Sequence, residues 1–127
     1  MGLDNGVVVK NIKKEDMPSF VDPYYIDKEY IDLVYYRKCY NIRNEFLNVL
    51  HGKVQGRTPI EAEDIPALLE KLYYYCSKEH WEEDDYGSIW AFEDIIDQHI
   101  QNIINLKWLY SYMIEHPEVE AFFYDSY

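Results

Sequence analysis

Apolar residues recur at Ile31, Tyr35, Cys39, Ile42, Phe46 and Val49/Leu50, the three-and-four spacing of one helical face. This pattern predicts a first long helix over about 26–50, ended by His51-Gly52. A second stripe, Ile65, Leu68, Leu69, Leu72 and Cys76, follows Asp64 as a plausible N-cap with Pro66 in the first turn, and runs toward His80. Thr58-Pro59-Ile60-Glu61 also fits a capping box, but a start there would put Pro66 in the second turn, so the later start is preferred. The third face, Phe92, Ile96, His99, Ile103, Leu106, Tyr110, Met113 and Ile114, predicts a helix longer than 20 residues, stopped by Pro117. At the amino end, the turn signal Asp4-Asn5-Gly6 precedes Val7-Val8-Val9, a β-branched run read as a strand ending near Ile12. Residues 13–25 hold Pro18 and Pro23 and are read as a connector across the bundle, pinned by Phe20 and Val21. The tail Val119–Tyr124 is β-prone, and pairing it with Val7–Lys10 would hide a strand edge. The expectation is one domain over 1–127, mainly α within the α+β class, with a three-helix core and a small sheet formed by the N- and C-terminal segments.

Charge narrows the partners. A net charge of -12 over 127 residues repels phosphate backbones and anionic membranes, so general nucleic-acid binding and membrane association are not expected. It suits an ordinary soluble protein, or an acidic surface that competes with nucleic acid for a basic partner. Cys39 and Cys76 are too few for a disulfide framework and fall on predicted apolar faces, which points to reduced thiols and a cytoplasmic setting. No apolar run approaches the length of a membrane span, and no secretory signal opens the sequence.

Against this acidity the three arginines stand out. On the predicted first helix, Arg37, Asn41, Asn44 and Asn48 form a polar stripe opposite the core, with Tyr40 beside it and Arg43 at the edge near Tyr36. Asn is a poor helix former, so three in one stripe suggest another use. Amides and a guanidinium in a row suit a nucleotide base or phosphate, with Tyr30, Tyr36 or Tyr40 stacking; the alternative is a solvated face with Arg37 paired to an acid. On the third helix Trp90, Asp94, Asp97, Gln101, Trp108 and Tyr112 fall opposite the core. They either pack beneath the connector or a second subunit, making a homo-oligomer, or form a pocket wall in which Asp94 and Asp97 accept from Arg37 or a ligand. The loop 51–58 places Arg57 and two glycines before a helix, as an anion cradle or a flexible connector. Its likeness to a P-loop fails in glycine spacing, in Arg for Lys, and in the expected lack of a preceding strand.

Candidate chemistry is sparse. His99 lies within an apolar stripe and is read as a core residue, while His51, His80 and His116 sit near helix ends. Neither a zinc pairing nor a calcium loop nor a nucleophilic triad can be assembled, so no metal, cofactor or catalytic residue is expected.

The segments Met1-Gly2-Leu3-Asp4-Asn5-Gly6, Tyr35-Tyr36-Arg37-Lys38-Cys39-Tyr40, Trp90-Ala91-Phe92-Glu93 and Phe123-Tyr124-Asp125-Ser126-Tyr127 together resemble small proteins encoded by phages and prophages. The resemblance spans most of the chain and carries no catalytic residues. It implies an accessory protein that counters host defence by binding, in the host cytoplasm. Three functions follow as expectations. The first is sequestration of a nucleotide-derived immune signal by Arg37, Arg43 or Arg57 with aromatic rings. The second is a DNA-mimic-like inhibitor docking its acidic face on a basic host defence protein. The third is an enzyme degrading the signal. The expected ligand site is Arg37, Tyr40, Asn41, Arg43, Asn44, Arg57, Trp90, Asp94 and Asp97.

Overall fold

The computed structural model describes residues 4–19, 30–37, 39–51, 56–77 and 92–126. Its elements, in chain order, are β1 (Asp4–Lys10), β2 (Ile31–Arg37), α1 (Tyr40–Leu50), β3 (Arg57–Ile60), α2 (Ile65–Tyr74), α3 (Phe92–Glu115) and β4 (Glu120–Ser126). The strands form an antiparallel sheet of order β2-β1-β4-β3. The class is α+β, with three helices packed on one face of a four-stranded sheet. This corrects the expected mainly α three-helix core: β1 and β4 do pair, Val7 with Phe123 and Lys10 with Glu120, but β2 and β3 extend the sheet on either side of them.

The largest correction falls on 26–50, where strand β2 and the shorter helix α1 replace one long helix. The cause is a β-bulge. Val7 pairs with Val34 while Val8 pairs with Asp32, so Leu33 is an extra residue between two registers. Leu33 and Val34 are therefore both buried, as are Ile31 and Tyr36, whereas Tyr35 is exposed. Ile31 and Tyr35 stand four apart, a step that a strand and a helix share, whereas the buried residues Leu33, Val34 and Tyr36 lie off the helical face. The strand also starts earlier than expected at the amino end, because Asp4-Asn5-Gly6 lie inside β1 rather than in a turn. Gly6 is needed there, since a Cβ would overlap the Val34 carbonyl oxygen and come within 3.2 Å of the Tyr124 ring.

α1 ends at His51 in the left-handed conformation (φ 53°). α2 begins after a 3₁₀ turn, Ala62–Asp64, capped reciprocally by Glu61 and Asp64, and Pro66 sits in its first turn. Thr58-Pro59-Ile60 belongs to β3, so the earlier capping box does not form. α3 runs for 24 residues and buries His99, Ile103, Leu106, Leu109, Tyr112 and Met113. Its core face is rotated from the expected one: Tyr112 faces in, Trp108 is half-buried and Ile114 is exposed. Phe46 stacks on Phe123 at 4.7 Å, which fixes α1 against the inner face of β4.

Three polar devices lie within this core. The Asn102 amide of α3 accepts from the Tyr35 N–H at 3.3 Å and donates to its carbonyl at 2.8 Å, and Asn105 donates to the Leu33 carbonyl at 2.7 Å. The helix thus satisfies the outer edge of β2 as another strand would. His99 donates from Nε2 to the Leu72 carbonyl at 2.8 Å, which leaves Nδ1 to accept the Tyr36 hydroxyl at 2.7 Å. Arg43 of α1 donates to Asp125 of β4 through Nε at 2.8 Å and through an Nη at 3.1 Å, a buried bidentate pair. Of the connector, residues 11–19 are tied to α3 where the Tyr112 hydroxyl donates to Asp16 at 2.7 Å; Phe20 and Val21 lie outside the described residues. Cys39 is buried, as expected of a core thiol, but Cys76 is exposed in the turn after α2 rather than on its apolar face. No helix among the described residues is long and apolar enough to cross a membrane.

Candidate functional site

The helices cover one face of the sheet, and the chemistry on the other is set by register. Paired residues share a face, so two rows cross all four strands. One is Arg57, Tyr124, Gly6, Tyr35, and the other is Pro59, Phe122, Val8, Asp32. Tyr30, just before β2, lies against the second row, edge-on to Phe122 at 6.3 Å. The Arg57 guanidinium reaches over the Tyr30 ring, 4.5 Å from its centroid, and Lys10 Nζ approaches the same ring at 5.6 Å. Together Val8, Tyr30, Asp32, Gly56, Arg57, Tyr124 and Asp125 line an open depression of about 550 Å³. That volume falls in the range of small-ligand sites.

Partial desolvation raises the carboxyl of the exposed Asp32 above its ordinary range, and Arg57 opposes the shift. Burial also pushes the Tyr124 hydroxyl well up, with further contributions from Asp32, Tyr35 and Asp4. Tyr35 donates to Asp4 at 2.7 Å. Neither Arg57 nor Asp32 makes a hydrogen bond or close ion pair among the described residues. The Arg57 guanidinium and the Asp32 carboxylate therefore stand beside Tyr30, Tyr124 and Val8 with their polar groups available, while Asp125 is engaged by Arg43.

The expected site residues are not gathered there, apart from Arg57. Arg37 is the last residue of β2. Tyr40, Asn41 and Asn44 are on α1, beyond the inner face of the sheet, with Tyr40 and Asn44 exposed and Asn41 half-buried. Arg43 is committed to Asp125 in the core. Asp94 and Asp97 lie in the first half of α3, Asp97 exposed, and Trp90 lies outside the described residues. The stripe of Arg37 with Asn41, Asn44 and Asn48 is not one helical face, because Arg37 precedes α1 in a strand.

Asp32 and Tyr124 were not anticipated. Their signal was the period-two pattern Ile31-Asp32-Leu33 and the alternation of Phe122 and Tyr124 with buried Ala121, Phe123 and Asp125. A second depression, about 460 Å³ between α1 and α2, is lined by Glu45, Glu70, Lys71, Tyr74 and Tyr75, and its one cation, Lys71, lies 4.0 Å from Glu45. Both ring nitrogens of His99 are engaged in the core, and burial lowers its basicity. Among the described residues, no three His, Cys, Asp or Glu side chains are placed to hold a metal ion. Compared with known protein families, curated proteins and solved structures, the chain matches none.

Proposed function

We propose that this protein binds a nucleotide-type small ligand on the outer face of its sheet and holds it without chemical change. Arg57 supports this reading above all: it is an exposed guanidinium laid over Tyr30 in an acidic protein, beside a depression of nucleotide size. A guanidinium held by an aromatic face keeps its N–H donors for a phosphate, while tyrosine rings offer stacking surface to a base. The phage-like motifs extend the reading to counter-defence in the host cytoplasm, where a sponge for a nucleotide immune signal needs affinity and no turnover.

The test is calorimetric titration with a panel of mono-, di- and cyclic nucleotides, followed by heat denaturation and chromatography of the released ligand. Binding with intact recovery is the expected result, and Arg57→Ala should weaken it about tenfold or more, the worth of a charge-assisted hydrogen bond. A chemically altered ligand would instead make the protein an enzyme. No binding across the panel would refute the reading and leave the acidic inhibitor of a basic defence protein, which the net charge of -12 favours.

A further inference from the structure

Building on the nucleotide reading, we infer that Asp32 makes the site selective for guanine. The depression holds two complementary charges on different strands, Arg57 on β3 and Asp32 on β2, with Val8 of β1 and the Tyr30 ring also lining it. Arg57 is the group suited to a phosphate, so Asp32 is left to meet the base. Its carboxylate makes no hydrogen bond among the described residues, and in the ionised form it can only accept.

The four bases answer such a group differently. The Watson–Crick edge of guanine presents two adjacent donors, N1–H and the N2 amine, which match the two oxygens of a carboxylate. Adenine and cytosine each place a ring-nitrogen lone pair beside their amino donor, and that lone pair repels a carboxylate. Uracil offers one N–H between two carbonyl oxygens. Only guanine meets Asp32 with two bonds and no repulsion, and a bidentate match of this kind typically separates right from wrong bases by about tenfold or more.

The experiment titrates wild type, Asp32→Asn and Arg57→Ala with GMP, AMP, CMP and UMP, and with guanosine as a phosphate-free probe. Wild type should bind GMP about tenfold more tightly than the other three. Asp32→Asn should abolish that preference by weakening GMP and tightening AMP toward a common affinity, because an amide pairs with either edge. Guanosine binding should depend on Asp32 and not on Arg57. Since Asp32 is exposed, the variant should keep its thermal midpoint, and Asp32→Ser serves as the second variant if it does not. Equal binding of the four nucleotides, or a GMP preference surviving in both Asp32 variants, would overturn the guanine inference while leaving nucleotide binding intact. Failure of every nucleotide to bind wild type would overturn both.

Discussion

Replacing Asn5 by valine should make the protein more stable. Asn5 is fully buried on the inner face of β1, between Tyr36 of β2 and Asp125 of β4, and neither its Oδ1 nor its Nδ2 has a hydrogen-bond partner among the described residues. A buried amide that lacks partners costs roughly 1–3 kcal/mol by the measure of mutational series. Valine removes both polar atoms, is shorter by one heavy atom so that overpacking is avoided, and suits strands, as Val7 and Val9 on the same face show. A small loss of van der Waals contact offsets part of the gain, leaving about 1–2 kcal/mol. In a domain of this size that raises Tm by about 3–10 °C. Urea unfolding of both proteins, followed by circular dichroism, should show a higher midpoint with an unchanged slope. If the variant lost about 1 kcal/mol or more, the Asn5 amide would be hydrogen-bonded in solution and the reasoning would fail.

Two further predictions concern buried polar groups. Arg43→Met should cost about 3–5 kcal/mol by stranding the Asp125 carboxylate, and the double variant with Asp125→Leu should recover part of that loss; additive costs in the urea cycle would contradict the pairing. Stability should fall as pH drops from 7.5 to 5, because burial holds the folded His99 below its ordinary range. The unfolded imidazole takes a proton near pH ~6.5, the folded one resists it, and the loss for this single group is at most about 1.4 kcal/mol per pH unit. An NMR titration placing the His99 ring at its ordinary pKa would remove this contribution and one placing it above would reverse its sign, and either would refute the argument.

What the sequence disclosed depended on whether the pattern was local. The helices α2 and α3 carry their stripes within themselves, although α2 ends at Tyr74 rather than running through Cys76 toward His80, and the β-branched run at Val7–Val9 and the apolar tail at 119–124 marked two strands without reference to anything between them. β2 was hidden because its bulge buries Leu33 and Val34 side by side and so breaks the alternation that marks a strand; no residue within Ile31–Arg37 reveals that without Val7 and Val8 opposite. The site divides in the same way. Arg57 was legible as a scarce cation, but Asp32 and Tyr124 join it only through the registers of three strand pairs. Arg43 looked equally scarce and is instead consumed by Asp125, which lies 82 positions away.

The strand order has a consequence for the rate of folding. β1 lies at the centre of the sheet, and its seam with β4 joins residues such as Lys10 and Glu120, while Asn11 donates to Glu120 across 109 positions. Closing a flexible loop of that length costs about 4 kcal/mol of chain entropy before any contact repays it. The β1–β2 pair and the individual helices can form earlier, yet among the described residues β3 pairs with β4 alone and waits for it. Such nonlocal pairing belongs to slow-folding topologies. Because Asp4 sits opposite Ser126, a short linker joining the two flanks of this seam would convert the most distant pairing in the molecule into a hairpin and shift the kinetic bottleneck to whichever site the chain is reopened at.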